Sequence, residues 1–275
     1  MGVTRSFLFS VDLEDIRARL TDGWKQPSRV CQNTRRLLAF LARQKARCTF
    51  FVVGELVDAE PDLIAQIVEG GHEIACHTHT HTTLDRLQPD GFRRELEQNL
   101  LSLARVGVND VKGFRSPCGS LIASTSWAYG ILREFGFSYS SSVIPAANPI
   151  FGWPGFGQDI RQVDGIWEIP ISLSDLPGFR VPHSSGVYFR SLPFPLVLAC
   201  FAWSMRQRGF VTSYFHPYDV DELEPRVPVP ELKGNRLHNW LFYYNRKDVI
   251  RRLEILANRA VTIQTYREFL SSRPA

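Results

Sequence analysis

The segment GGHEIACHTHTHTTL, residues 70–84, joins a short apolar run to three histidines, His77, His79 and His81, at alternating positions. The run before His77 is typical of a buried β-strand. If the strand continued through the histidines, alternation would place all three imidazoles on one face. If the chain formed a helical turn instead, His77 and His81 would share a face and His79 would point elsewhere. Other segments of the sequence distinguish between these two arrangements.

The flanking sequence alternates between strand and helix patterns. Short apolar or β-branched runs are separated by segments whose apolar residues recur every three or four positions, which predicts parallel βαβ units. About seven parallel strands indicate an α/β fold with a closed or nearly closed barrel, and no linker or repeat divides residues 1–275, so we expect one domain. The predicted strands are residues 6–12, 48–54, 70–76, 111–115, 137–141, 166–172, 210–216 and 260–265.

Composition excludes several classes of protein. The chain has 275 residues, 44% of them hydrophobic and 22% charged, so it can bury a large core. A net charge of +4 without a basic run makes nucleic acid a poor candidate for a partner. The five cysteines are odd in number and contain no C-x-x-C pair, which argues against a disulfide framework and against a thiolate zinc site.

The N-terminus enters an apolar strand within a few residues and lacks the features of a secretory signal, so we expect a cytoplasmic protein. The longest apolar run, residues 192–203, is shorter than the roughly 20 residues that span a bilayer. It predicts a buried helix, with contact to a membrane surface as the alternative. The sequence does not indicate an oligomeric state.

Polar residues with catalytic chemistry follow four of the predicted strands. The first strand ends in a group of carboxylates that begins at Asp12, the third ends in the histidine run, the fourth ends near Arg115, and a late strand ends at His216. Barrels of parallel strands place their chemistry at the C-terminal ends of the strands. The four clusters therefore predict an active site. Because the chain must leave the strand there, we expect a helical turn that pairs His77 with His81.

The same segments, taken in order, resemble the polysaccharide deacetylases of carbohydrate esterase family 4. The resemblance rests on SVDLED (residues 10–15), CTFFVVGE (48–55), GHEIACHTHTHTTL (71–84), GFRSPCG (113–119) and YFHPYD (214–219). It implies a single distorted (β/α) barrel. Three segments are similar in sequence to the cytoplasmic branch of the family, which is associated with exopolysaccharide and envelope-glycan synthesis. They are SVDLED (10–15), GFSYSSSVIP (136–145) and FHPYDVD (215–221).

The resemblance implies a divalent metal, Zn²⁺ or another cation such as Co²⁺. His77 and His81 match the two imidazole ligands of the family. The third ligand is a carboxylate for which two residues compete, because Asp12 is followed by Leu13 rather than by a second aspartate. Strand alternation points Glu14 to the same side as Asp12 and makes it the first candidate, with Asp15 as the alternative.

The resemblance also assigns the proton-transfer groups. Asp12 matches the general base, and Arg115 pairs with it and orients it. The backbone N–H of Cys118, just after Pro117, would stabilise the oxyanion together with the metal, although Cys118 replaces the usual aromatic residue. His216 matches the acid that protonates the departing amine.

The sequence leaves two features open. The residue that tunes the acid is either Asp164, in a loose match to a family motif, or Asp219, three residues past His216. The resemblance implies hydrolysis of the N-acetyl group of an amino sugar that is oligomeric, nucleotide-linked or lipid-linked, and the sequence does not separate these substrates. Two rival functions are a metal-free amide hydrolase of the same fold and a non-catalytic glycan-binding domain.

Overall fold

The computed structural model describes residues 5–147, 150–176, 179–232, 234–259 and 261–273. The strands are β1 (Ser6–Leu8), β2 (Ser10–Leu13), β3 (Thr49–Val52), β4 (Glu73–Cys76), β5 (Gly113–Phe114), β6 (Tyr139–Ser140), β7 (Arg161–Val163), β8 (Ile166–Glu168), β9 (Ser174–Leu176), β10 (Phe179–Val181), β11 (Phe210–Thr212) and β12 (Thr262–Ile263).

Helices connect most of these strands. They are α1 (Val30–Arg43), α2 (Gly54–Ala59), α3 (Pro61–Glu69), α4 (Pro89–Arg105), α5 (Ala128–Glu134), α6 (Gly186–Ser191), α7 (Phe194–Arg208), α8 (Arg236–Tyr243), α9 (Val249–Ala257) and α10 (Tyr266–Ser271). Short 3-10 turns lie at Ile16–Arg19, Gly23–Lys25, Pro117–Gly119, Ala123–Thr125, Pro217–Val220, Pro230–Leu232 and Arg246–Asp248.

The main sheet has seven strands in the order β2-β3-β4-β5-β6-β8-β7, and all its neighbours are parallel except the β7–β8 pair. A second, parallel sheet has the order β11-β1-β12, and β9 and β10 form an antiparallel pair. The first predicted strand is divided between the two sheets, because its N-terminal half pairs with β11 and β12 while its C-terminal half pairs with β3. The predicted α/β fold with parallel strands is confirmed.

The expected barrel closure is not confirmed. Within the described ranges, backbone pairing does not join β8 to β11. Instead, side-chain hydroxyl groups link the segment that follows β8 to β11. The Ser172 N–H donates to Thr212 Oγ1 at 2.7 Å, and the Thr212 N–H donates to Ser172 Oγ at 2.9 Å. Pro170, which lies just before, lacks the N–H that a continuous ladder needs. The barrel is therefore open at this seam.

Burial of the strands in the core explains why their sequences are continuous apolar runs. All four residues of β3 are buried, as expected for a parallel strand with helices on its outer face. Helix α1 packs against this layer through Leu37, Phe40 and Leu41, whose three- and four-residue spacing produces one apolar stripe. Full burial of such side chains contributes about 1.5–3 kcal/mol each. The strand ends, and the polar residues that follow them, are thereby fixed by a rigid core.

The remaining sequence predictions have mixed outcomes. The apolar run 192–203 begins just before α7 and forms most of it, with Val197 and Phe201 buried and Trp203 exposed. Among the described residues, no helix combines the length and apolar character needed to cross a bilayer. The last predicted strand is shorter than expected, since β12 covers only Thr262–Ile263, and Ala260 lies outside the described residues. All five cysteines are described, and none forms a disulfide.

Candidate active site

The predicted site residues converge at one edge of the sheet because backbone hydrogen bonds extend the strand ladders beyond the strand ends. The N–H of His77 donates to the last carbonyl of β3 at 3.0 Å, and the N–H of Arg115 donates to the last carbonyl of β4 at 3.0 Å. Asp12 is held in the same way by the carbonyl of Phe215, at 2.7 Å, which brings His216 beside the first strand. These contacts place the four predicted clusters together.

Glu14, His77 and His81 form a compact group of potential metal ligands. One ligand atom from each residue lies within 4.8 Å of the other two. The imidazole centroids of His77 and His81 are 4.9 Å apart, and His81 Nε2 lies 2.7 Å from Glu14 Oε2. Two imidazoles and one carboxylate are a donor set that zinc-type cations use in catalytic sites, where further positions stay open.

His77 has one ring nitrogen whose lone pair is available to a cation. Its Nδ1 lies 2.8 Å from the carbonyl oxygen of Arg115, and because a carbonyl only accepts, Nδ1 carries the proton. Burial lowers the pKa of His77 to about 4, outweighing the opposing effect of Asp12, so the ring is neutral at neutral pH. Nε2 therefore keeps its lone pair available for a ligand.

Glu14 supplies the anionic side of the group. Burial alone would raise the pKa of Glu14, but His81 and Arg19 hold it well below its ordinary value. Its Oε1 accepts hydrogen bonds from the hydroxyl of Tyr218 at 3.1 Å and from Arg19 at 3.3 Å. Its Oε2 is buried and faces His81 Nε2 at 2.7 Å. A buried carboxylate oxygen and an imidazole nitrogen in contact with each other can both be ligands of a divalent cation.

Asp15, the alternative carboxylate, has a different environment. Its side chain caps the 3-10 turn Ile16–Arg19, accepting from the N–H of Arg17 at 2.9 Å and from Arg17 Nε at 2.8 Å. The hydrogen-bonding capacity of the Asp15 carboxylate is therefore used by Arg17. Between the two candidates, only Glu14 joins the group with His77 and His81.

The histidine segment is a loop, and the expected helical turn is wrong. Residues 77–83 contain no helix, and both Thr78 and His81 have left-handed backbone conformations with φ of 59°. These reversals still pair His77 with His81, as expected. His79 points away toward Gly54, where a Cβ atom would overlap its ring, so glycine is required for this close approach.

Arg115 holds Asp12 in a fixed, buried position. Its guanidinium donates to Asp12 Oδ1 at 2.6 Å, to Ser10 Oγ at 2.7 Å and to the Ser141 carbonyl at 2.8 Å. A further bond, 2.9 Å long, joins it to the hydroxyl of Tyr266 on α10. Burial would lower the pKa of Arg115, but Asp12 and Tyr266 raise it above its ordinary value. The sequence reasoning missed Tyr266, which is a lone aromatic residue near the C-terminus.

His216 is part of a chain of charged groups. Its Nδ1 lies 3.0 Å from Asp219, whose carboxylate forms a buried ion pair with Arg190 at 3.0 Å. The imidazole stacks on Tyr218 with a centroid separation of 4.6 Å, and its Nε2 lies 3.7 Å from Glu14 Oε1. Burial would lower the pKa of His216, but Asp219 raises it above its ordinary value. The ring therefore favours its protonated form.

Of the two candidates for the partner of His216, Asp219 makes the contact. The pKa of Asp219 is held below its ordinary value: burial would raise it, and Arg190 and His216 lower it. Asp164 is exposed and lies in the turn between β7 and β8, with a left-handed φ of 49°. Arg190 was also not identified as a site residue from the sequence. Its only signal is a charged residue in the otherwise apolar pattern of α6.

Pro117 and Cys118 follow Arg115 in the turn Pro117–Gly119. Cys118 has a left-handed φ of 55°, and Gly119, with φ of 71°, packs closely against Ile144. The turn is adjacent to the site because the carbonyl of Arg115, two residues before Pro117, accepts a hydrogen bond from His77. The role of the Cys118 N–H in stabilising an oxyanion stays a prediction.

Comparison with known proteins supplies independent information. Residues 21–139 match the family model described as "Polysaccharide deacetylase", and residues 141–270 match "Domain of unknown function (DUF3473)". The first match contains His77, His81 and Arg115, and the second contains His216. Asp12 precedes both matches.

Curated relatives are similar over part of the chain. The chitooligosaccharide deacetylase of Bradyrhizobium sp. (strain ANU 289) is 38% identical over 69 residues, which cover 25% of this chain and 30% of the relative. The peptidoglycan-N-acetylglucosamine deacetylase of Bacillus cereus is 28% identical over 96 residues, which cover 34% of this chain and 35% of the relative. The chain thus matches about a third of the length of these proteins.

The fold is similar over the whole chain to a solved structure. A crystal structure from Mycobacterium smegmatis, provisionally described as a polysaccharide deacetylase, superposes with a TM-score of 0.65 and 19% identity. The match covers 100% of this chain and 96% of that one, which establishes the shared fold. The chain is therefore similar to polysaccharide deacetylases, over residues 21–139 by the family model and over part of its length by the curated relatives.

Proposed function

We propose that this protein is a metal-dependent hydrolase that removes N-acetyl groups from an amino sugar of a cell-surface glycan or its precursor. One observation carries the proposal: the group of Glu14, His77 and His81 lies beside both a buried, arginine-bound Asp12 and an aspartate-bound His216. Hydrolysis of an amide needs a group that polarises the carbonyl, a base for water and an acid for the amine. The three parts match these needs.

A divalent cation held by Glu14, His77 and His81 would polarise the acetyl carbonyl and make water a better nucleophile. The residues around it would transfer protons. Asp12 is the proposed base that takes a proton from the attacking water, and its bond to Arg115 keeps the carboxylate oriented toward the site. His216 is the proposed acid, since an amine cannot leave as an anion and the pKa of His216 is raised.

The oxyanion that develops during attack needs a donor besides the cation. We propose that the backbone N–H of Cys118 supplies it, because a main-chain donor does not depend on the cysteine side chain. Pro117 opens the turn that presents this N–H. The products would be acetate and a free amino sugar.

The substrate class is supported by the relatives. Their names give chitooligosaccharides and peptidoglycan N-acetylglucosamine as substrates, and both carry N-acetyl groups on amino sugars. We propose an N-acetylated amino sugar of this kind that is oligomeric, nucleotide-linked or lipid-linked. The cytoplasmic location and the link to exopolysaccharide synthesis stay predictions, which cell fractionation and deletion of the gene would test.

We also propose that residues 1–275 act as one catalytic unit. Strands pair across the boundary between the two matched segments: β6, at the end of the first match, pairs with β8 in the main sheet, and β1, which precedes the first match, pairs with β11 in the second sheet. The base would come from the first strand and the acid from the segment after β11, so neither part would be active alone.

The test is acetate release from a panel of oligomeric, nucleotide-linked and lipid-linked N-acetylated sugars. Asp12→Asn and His216→Ala are expected to retain metal but to lose turnover, because each side chain moves a proton without being needed to hold the ion. Loss of metal from Asp12→Asn would show that base and ligand are interchanged. Release from simple linear amides alone would favour the amide-hydrolase rival, and glycan binding without acetate release would favour the binding-domain rival.

A further inference from the structure

Helix α4 contacts the histidine loop through two buried polar residues to which sequence reasoning gave no role. We propose that Glu95, assisted by Asn99, is a positioning residue that fixes the spacing of the two metal-ligand imidazoles. This inference rests on the proposed function, because it assumes that His77 and His81 bind a cation. It assigns a cause to the unusual conformation of the loop between them.

Glu95 binds the two residues that precede His81. Its Oε2 accepts from the backbone N–H of His79 and from that of Thr80, both at 2.8 Å. Its Oε1 accepts from the hydroxyl of Thr80, also at 2.8 Å. Glu95 is 8% exposed, and its carboxylate satisfies two main-chain donors that belong to no strand or helix. Bonds from N–H groups to a charged acceptor are stronger than those between neutral groups.

Asn99 binds the residue that follows His77. Its side-chain amide donates to the carbonyl of Thr78 at 2.6 Å and to the last carbonyl of β3 at 2.9 Å. The amide thus joins the loop to the strand end that also receives the His77 N–H. Asn99 is fully buried and follows Glu95 by one helical turn, so both side chains project from the same face of α4.

Together the two residues hold the two central peptides between the ligands, 78–79 and 79–80. Thr78 and His81 both have left-handed backbones, which non-glycine residues rarely adopt without compensating contacts. The bonds to Glu95 and Asn99 lie between these two reversals. Without them, the loop could relax and separate the imidazoles, which would weaken a bound cation. Loss of a group that orients metal ligands typically lowers metal affinity about 10- to 100-fold.

The experiment is an equilibrium titration of metal-free protein with Zn²⁺ and with Co²⁺. Glu95→Ala should weaken binding about 10- to 100-fold and change the visible absorption of bound Co²⁺, which reports ligand geometry. Glu95→Gln should retain most of the affinity, because its amide oxygen can accept both N–H groups and its NH₂ can donate to the Thr80 hydroxyl. Glu97→Ala is the matched control, since Glu97 is an exposed carboxylate on the same helix.

A milder variant guards against misfolding of Glu95→Ala. Thr80→Val removes the hydroxyl of an exposed residue, and with it the bonds to Glu95 Oε1 and to Thr82 Oγ1. We expect a smaller loss of affinity, about threefold. Wild-type affinity and spectrum in both Glu95→Ala and Thr80→Val would overturn the inference, as would equal losses in Glu95→Ala and Glu97→Ala. If the wild-type protein itself bound neither metal, the proposed function would fail first.

Discussion

Replacing Tyr266 by phenylalanine removes one hydroxyl group from the network that holds Arg115 against Asp12. That hydroxyl accepts from Arg115 at 2.9 Å and from Ser141 Oγ at 3.2 Å. A hydrogen bond to a charged group contributes about 1.5–3 kcal/mol, so we expect the free energy of unfolding to fall by about 2 kcal/mol. The guanidinium would also lose one of the bonds that fix its orientation, and Asp12 with it.

Catalysis should respond as well as stability. If about 1.4 kcal/mol of the loss affects the transition state, kcat for acetate release falls about tenfold. Tyr139→Phe is the matched control: its ring stacks on that of Tyr266 at 5.7 Å, but its hydroxyl donates to Glu73 at 2.9 Å, away from Arg115. It should lose a similar amount of stability and keep wild-type kcat.

The assay combines urea unfolding with steady-state kinetics on the two variants. The expected pattern is similar destabilisation in both and a lower kcat in Tyr266→Phe alone. Equal kcat values in the two variants would refute the reasoning, because the effect of Tyr266 would then be purely structural.

The other predictions concern the ligands and the acid. His77→Ala and His81→Ala should each lower metal affinity by more than about 100-fold, which exceeds the effect of changing a neighbouring group, whereas His79→Ala should retain the metal. The metal content of the three purified variants tests this. A His79→Ala protein without metal, together with a His81→Ala protein that retains it, would contradict the prediction. Asp219→Asn should move the alkaline limb of the pH–kcat profile to lower pH, since the raised pKa of His216 depends on that carboxylate and the acid must be protonated. An unshifted limb would exclude His216 as the acid.

The position of the site was predictable because it depends on local patterns. Apolar runs identify parallel strands, and polar residues that follow them must meet at one edge. Asp12, His77, Arg115 and His216 were identified in this way, and they converge in the structure. Alternation along the first strand also made Glu14 the first candidate for the carboxylate of the ligand group, and the structure groups it with the histidines.

Other features could not be predicted because they depend on contacts between distant segments. The loop after β4 avoids the helical turn since Glu95 and Asn99, on a different element, bind its main chain. Nothing in the local sequence of the loop signals left-handed backbones at Thr78 and His81. The open seam likewise depends on hydroxyl pairs between segments 40 residues apart, which no periodicity reveals.

We propose that one divalent cation, held by Glu14, His77 and His81, is required for hydrolysis. The most direct measurement is acetate release from N-acetylglucosamine oligomers by chelator-treated protein while Zn²⁺ or Co²⁺ is added back in steps. We predict no activity without metal and a rise that reaches its plateau at one ion per chain. Full activity in a preparation verified to be metal-free would contradict the account.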